Sequence, residues 1–301
     1  MTQPIASDIT FVDRDNNGKT DKLYVGDLGG NLWRFDVSDA DTLNWRSTKI
    51  ASLGCDDGGA PNPRCSVNAG DTVGRTARKF FFPPSVLTIK AAGTTGSYDE
   101  ISIASGDREH PLKNTTNTGS SYYVKDRFFM VKDTSTALGT PASNTVQRLS
   151  NLFNATSTAW DGSLNGFYLT FATGEKAVNA PLTVNGTVFF STNKPIDSDN
   201  TCAANLGQAR AYGVSPFDGT AVSNVLQGGG MPPSAVAGVV QITTGSGDSA
   251  TTTNEKFCIG CGISGSQLGG TNNNPCNSAL ENCNVGKVIP KNLRRTYWYK
   301  K

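Results

Sequence analysis

Long hydrophobic runs are missing from this sequence of 301 residues: no apolar stretch approaches the length of a membrane-crossing helix, which needs roughly 20 residues. Membrane insertion is therefore not expected. Charge is also scarce, at 17% of residues with a net charge of +2. Basic residues are scattered, apart from a short cluster at Arg294, Arg295, Lys300 and Lys301. Nucleic acids and acidic membranes both require a concentrated basic field, so neither is an expected partner. A single histidine, His110 in "GDREHPL", has no nucleophile motif beside it, and no G-x-S-x-G, Walker or H-E-x-x-H pattern occurs. A hydrogen-bonding role at a strand–turn junction suits it better than general-base work. No catalytic activity is expected. A secretory signal is absent as well, because Met1-Thr2-Gln3-Pro4 leads straight into "IASDITFVD". Such a start belongs either to a cytoplasmic chain or to a piece of a longer one, and the second is the expectation here.

Amphipathic helical periodicity is also lacking. In its place stand short runs such as "KLYVGDL", "NLWRFDV", "EISIASGD", "DRFFMVKD", "GFYLTFAT", "PLTVNGTVFFST", "QARAYGV" and "VAGVVQITT", each bounded by Gly, Asn, Asp or Pro. These read as strands joined by turns, and the fold class is all-β. At most one or two helical turns are expected, for example near "TVQRLSNLFNATST". A loose theme recurs: a strand ends in Gly-Asp or Asp-Gly, and the next carries aromatics followed by an acidic residue. "YVGDLGGNLWRFDV", "IASGDREHPL…DRFFMVKD" and "ARAYGVSPFDGTAV" are examples. The theme resembles the blade signature of quinoprotein-type β-propellers. Blades take about 40–50 residues, so residues 1–301 are read as one modified, irregular propeller of about six or seven blades. Insertions are expected at Asp56–Asp71, Asn114–Ser121 and Gly245–Asn284. Trp33, Phe35 and Val37, and the run Phe80–Phe82, are read as blade-core residues.

Seven cysteines are present: Cys55, Cys65, Cys202, Cys258, Cys261, Cys276 and Cys283. Cys55 and Cys65 bracket "CDDGGAPNPRC", a comfortable span for a local disulfide. The "CIGC" of Cys258–Cys261 begins like a zinc ribbon, but the later pair is not C-x2-C. Disulfides suit this loop-rich chain better and imply an oxidising compartment. The odd count leaves one thiol unpaired, or paired outside this sequence.

The sharpest chemical signal is "DRDNNGKTD", Asp13–Asp21. Calcium takes six to eight oxygen ligands, and acidic or amide side chains on alternate residues can wrap one ion. Asp13, Asp15 and Asn17 stand at EF-hand-like positions 1, 3 and 5, with Gly18 at the sharp turn. Lys19 offers its backbone carbonyl at position 7 and Asp21 fills position 9. Position 12, a bidentate Glu in an EF-hand, is Tyr24 here, and a strand follows. The expected unit is thus a calcium loop on a β-hairpin, spanning residues 9–37. A bare Asx-rich turn is the competing reading. Asp197–Asn200 is too short for a second site.

Together these residues carry a resemblance. "DRDNNGKTDKLYVGDLGGNLWRFDV" is similar to the calcium loop and hairpin of the PilY/PilC family of type IV pilus biogenesis and tip proteins. "ARKFFFPPSV", "IASGDREHPL", "DRFFMVKD", "GFYLTFATGEKAVNAPLTVNGTVFFSTNKP", "CAANLGQARAYGVSPFDGTAV", "GGGMPPSAVAG" and "RRTYWYKK" follow in the family's order, from about Ile9 onward. The resemblance implies the C-terminal β-propeller domain of a much longer adhesin-like protein. That protein would carry a signal peptide and often a von Willebrand A-like domain. It would be exported through the periplasm to the pilus tip (fimbrium) or the outer membrane. The implied cofactor is Ca2+, held by Asp13, Asp15, Asn17, the Lys19 carbonyl and Asp21. The implied partners are minor pilins of the tip complex and a host or abiotic surface. The implied role is control of pilus extension and retraction, and so of twitching motility and cell adhesion. The alternative is a periplasmic quinoprotein dehydrogenase whose calcium would hold pyrroloquinoline quinone. Against it, the loop lies at one end of the sequence, whereas cofactor-holding propellers draw ligands from several blades, and no adjacent Cys-Cys pair is present.

Overall fold

The computed structural model describes residues 3–55, 78–89, 97–109, 124–135, 145–184, 186–196, 206–244 and 251–262. Within them the chain runs as successive, mainly antiparallel meanders, with one parallel pairing of Phe153–Asn154 to the strand at Phe167–Tyr168. The first sheet is β1 (Thr10–Val12), β2 (Lys22–Gly26), β3 (Asn31–Asp36) and β4 (Arg46–Ser52), in sequence order. The second holds β5 (Ser85–Ile89), β6 (Tyr98–Ala104), β7 (Arg127–Asp133), β8 (Phe153–Asn154) and β9 (Gly166–Thr170), in the order β5-β6-β7-β9-β8. The third comprises β10 (Lys176–Ala177), β11 (Leu182–Val184), β12 (Thr187–Lys194), β13 (Gln208–Val214) and β14 (Ala221–Val225). Its order is β10-β12-β13-β14, with β11 also on β12. A long hairpin of β15 (Val236–Thr244) and β16 (Thr251–Ile259) completes the set. Among the described residues the helical content is two single 3-10 turns, Thr42–Asn44 and Leu149–Asn151, the latter inside "TVQRLSNLFNATST".

The all-β expectation holds, and consecutive meanders stacked face to face form an irregular propeller-like arrangement. The residue count, which allowed about six or seven blades, exceeds the four sheets found among the described residues. The expected insertions Asp56–Asp71 and Asn114–Ser121 lie outside the described residues, as does most of Gly245–Asn284 apart from β16 and the turn after it.

The stacking explains the sequence of the central strands. An antiparallel sheet with one wet face alternates apolar and polar residues, whereas one buried on both faces reads as a continuous apolar run. "RFFMVKD" is such a run. Phe129 and Val131 join Tyr24, Leu32, Ile50, Phe80, Ile101 and Ile103 in the core between the first two sheets. Phe128 and Met130 point the other way, into the core shared with Val188, Phe190 and Val214 of the third sheet. There Phe190 stacks between Phe128 and Tyr212, with centroids 4.9 and 5.0 Å apart. Phe189 and Ala211 face the opposite side, against the disulfide-bonded Cys258 and Cys261 of the last hairpin. The outermost strand of the third sheet, β14, reverts to strict alternation of exposed and half-buried positions.

The blade-core assignment divides. Phe80 is fully buried as expected. Trp33, Phe35 and Val37 are only half-buried, because the core face of β3 is taken by Leu32 and Arg34. Trp33 instead donates its Nε1–H to Asp27 Oδ2 at 2.8 Å and lies beneath the Lys49 ammonium. Asp27 organises the turn into β3, accepting from the N–H groups of Gly29 and Asn31, both at 2.9 Å. Gly30 in that turn has φ +73°, and a Cβ there would fall 2.4 Å from the Gly54 Cα, so the close approach of the two chain segments requires glycine.

Glu100 on β6 is 1% exposed, with Oε1 accepting from the Ser102 hydroxyl and Oε2 lacking a hydrogen-bond partner. Burial pushes its carboxyl up to about 8, against a smaller lowering by Ser102. The folded chain therefore holds a proton that the unfolded chain releases above its ordinary value of 4.5. Stability from this group is full below that value and is lost as pH rises toward about 8, with a limiting slope of about 1.4 kcal/mol per pH unit. Urea titrations at pH 6 and pH 8.5 should show Glu100→Gln losing much less stability across the interval than the parent chain. Equal losses would mean that Glu100 is ionised throughout.

Candidate metal centre

Asp13–Asp21 is the loop of the first hairpin, between β1 and β2, so the residues that could hold a cation are pinned at both ends by strand pairing. The register sets Val12 opposite Lys22, and Asp21 N–H closes the loop on the Val12 carbonyl at 2.9 Å. The Asp21 carbonyl in turn accepts from Val37 N–H at 2.8 Å, tying the loop to the end of β3. Inside, the chain reverses through Asn16 at φ +61° and Gly18 at φ +85°. Asparagine and glycine are the residues that tolerate that conformation, which accounts for "NNG".

Asx-type bonds then turn the side chains inward. Asp13 accepts from Asn17 N–H at 3.1 Å and Gly18 N–H at 2.8 Å. Asp15 accepts from the Asn17 backbone at 3.1 Å and its amide at 2.8 Å, and Asn17 Oδ1 accepts from Lys19 N–H at 2.8 Å. Asp21, 3% exposed, accepts from Arg14 N–H at 2.7 Å. Partial desolvation raises the Asp13 carboxyl, but the N–H groups of Gly18, Asn17 and Asn16 outweigh it and hold the group below its ordinary range. It is thus primed as an anion.

One carboxylate oxygen from each of Asp13, Asp15 and Asp21 lies within 4.8 Å of the others. Oxygens at about 2.3–2.6 Å from a shared calcium ion stand no more than about 5 Å apart, so the set is compatible in size and hardness with that ion. Asn17 lies among them through its bonds to Asp15 and Lys19, while Lys19 enters through its carbonyl by position alone. Tyr24 is not a deviant ligand. It is fully buried, and its hydroxyl donates toward Asp99 or Asp133, each 2.9 Å away on the second sheet.

Tyr24 belongs to a cluster that the sequence reading missed. Arg34 forks Asp133 through Nη1, at 2.8 and 2.7 Å, and also reaches Asp36. Lys22 approaches Asp99 at 3.4 Å, and Arg14 pairs with Asp99. Lys22, Tyr24, Arg34 and Asp99 are 0% exposed. Burial pulls the Lys22 ammonium below its ordinary range, against the raising influence of Asp133 and Asp99. The signal was present in the sequence as charged residues inside otherwise apolar strands. A similar pair recurs between the second and third sheets, where Lys176 meets Asp126 at 2.8 Å. His110 and Asp197–Asn200 lie outside the described residues. Cys55 is disulfide-bonded, but Cys65, its expected partner, lies outside them too.

The fold and the loop together define the class: an all-β protein of stacked, propeller-like sheets with a carboxylate-lined loop on its first hairpin. Among solved structures, the chain is similar to the C-terminal domain of PilY1 from Pseudomonas aeruginosa, at 16% identity and a TM-score of 0.49. The alignment takes in 85% of this chain and 58% of that one. No protein-family model matches, and no curated protein does. No helix among the described residues is long and apolar enough to cross a membrane.

Proposed function

We propose that this chain is a calcium-binding, propeller-like domain of a type IV pilus tip or biogenesis protein, not an enzyme, acting outside the cytoplasm through contacts with minor pilins and a surface. The observation that supports the calcium part is the loop itself, with three carboxylates converging to within 4.8 Å from alternating positions of one pinned hairpin. The pilus part rests on the ordered motifs that resemble the PilY/PilC family. Asp13, Asp15, Asn17, the Lys19 carbonyl and Asp21 would hold the ion, which supplies two positive charges to three crowded carboxylates. The chain's own contribution is to hold those donors together, with Asx bonds fixing Asp13 and Asp15 and strand pairing fixing Asp21. A loop so fixed presents one surface when loaded and another when it opens, and a pilin reading that surface responds to calcium. Control of extension and retraction, and adhesion, would follow from that response. The quinoprotein alternative gains nothing from this geometry, since every donor comes from one stretch of the first sheet.

The test is calorimetric titration with calcium, followed by co-purification with minor pilins in calcium and in chelator. Saturable calcium binding and calcium-dependent pilin capture are expected. Binding without any effect on capture would leave a structural ion only and overturn the regulatory role. A chromophore retained after addition of pyrroloquinoline quinone and calcium would favour the dehydrogenase.

A further inference from the structure

Arg14 belongs to two structures at once. Its backbone N–H holds Asp21 Oδ2 at 2.7 Å, bracing one of the carboxylates assigned to calcium. Its side chain leaves the loop altogether, and Nη1 pairs with Asp99 Oδ1 on β6, in the second sheet. Arg14 is 8% exposed, so neither end of it is a surface contact. From Asp99 the contacts continue inward. Thr88 donates to Asp99 at 3.1 Å, the Tyr24 hydroxyl bridges Asp99 and Asp133 at 2.9 Å each, and Asp133 is forked by Arg34. An unbroken line of hydrogen bonds and ion pairs thus runs from the loop to the middle of the contact between the first two sheets. Arg14 is the one loop residue in that line among the described residues.

We propose that Arg14 couples occupancy of the loop to the packing of the first sheet on the second; this rests on the calcium reading above. The physical reason lies in where Arg14 stands. It is flanked in sequence by Asp13 and Asp15, so the backbone that separates these two carboxylates is the backbone that carries the guanidinium. With no cation present, Asp13, Asp15 and Asp21 repel across less than 5 Å, and the loop relaxes by spreading. Spreading moves residue 14 and withdraws its guanidinium from Asp99, which then keeps, among the described residues, Lys22 at 3.4 Å as its cationic partner. Neutralising the three carboxylates returns Arg14 to Asp99. The coupling is reciprocal: a sheet contact that is strengthened by the ion must tighten the ion by the same factor. Arg14 and Asp99 are therefore positioning residues for the site, although neither is a ligand.

The experiment combines calcium titration with hydrogen exchange. In the unmodified chain, calcium should slow exchange across β6, Tyr98–Ala104, as well as in the loop. Arg14→Met and Asp99→Asn should bind calcium about 10- to 100-fold more weakly, the range seen when a partner behind a metal ligand is removed. Arg14→Lys, which keeps the charge, should recover part of that loss. A residue that only stabilised the fold would lower the melting temperature equally with and without calcium, whereas coupling makes the loss larger in its presence. Unchanged affinity in both variants, or exchange across β6 that ignores calcium in the unmodified chain, would overturn the coupling alone. Failure of the unmodified chain to bind calcium would overturn the calcium reading and the coupling with it. The exchange comparison needs no variant, so a misfolded substitution cannot obscure the result.

Discussion

Replacing Asp133 with alanine should destabilise the chain by about 3–5 kcal/mol, the cost of leaving a buried charge without its partner. Asp133 is 1% exposed and accepts from both Arg34 contacts, from Ser135 N–H at 3.0 Å, and lies within reach of the Tyr24 hydroxyl. Removing it strands the Arg34 guanidinium, whose side chain is 0% exposed, with Asp36 alone. Urea unfolding reads the effect directly. An Arg34→Met/Asp133→Leu pair should be much less destabilised than Asp133→Ala, because deleting both charges removes the desolvation cost along with the attraction. The same residue sets an acid sensitivity. Burial opposes ionisation of Asp133, yet Arg34 beside it wins and holds the carboxyl below its ordinary 3.8. A depressed carboxyl stabilises the fold above its unfolded value, and that contribution fades as pH falls below about 4. Asp133→Ala should therefore lose less on acidification than the parent. If the single variant unfolds with the parent, the inter-sheet cluster contributes nothing and its role here is wrong.

The second large effect is on calcium, and it should differ between two ligands. Asp13→Ala should abolish calorimetrically detectable calcium binding while urea stability without calcium stays within about 0.5 kcal/mol of the parent, as for a surface substitution. Its carboxylate serves only the loop's own N–H groups. Removal should even ease the repulsion in the empty loop. Asp21→Ala should abolish binding too, but at a further cost of about 1–3 kcal/mol, because Asp21 is buried and its loss leaves the Arg14 N–H without that acceptor. Undiminished calcium affinity in both variants would sink the metal assignment. A destabilised Asp13→Ala would instead mean that the loop is a structural turn.

The sequence was most informative where chemistry is local. "DRDNNGKTD" announced its turn, the glycine at its sharp bend and its converging carboxylates because Asx bonds and glycine conformations span only a few residues. Strand runs bounded by Gly, Asn and Asp gave the all-β class for the same reason. What stayed hidden was which face of each strand meets which neighbour. Trp33 and Phe35 looked like core residues by composition, yet Leu32 and Arg34 hold that face, and the deciding contact is made by Asp133, 99 residues away. Tyr24 read as a missing ligand until its hydroxyl was placed between two aspartates of another sheet.

The two-faced burial of the second sheet has a consequence for how damage spreads. Phe129 and Val131 close one core while Phe128 and Met130 close the next, so β7 is a party wall. In stacks where each unit touches only its neighbours, stability is a sum over units and the seams between them. A lesion in an outer unit removes one seam, whereas a lesion that bends β7 opens two at once. Tolerance to substitution should therefore be graded along the stack, lowest in the second and third sheets, each of which closes two cores, and higher in the last hairpin. The first hairpin, which carries the loop, hangs from that wall by a single seam.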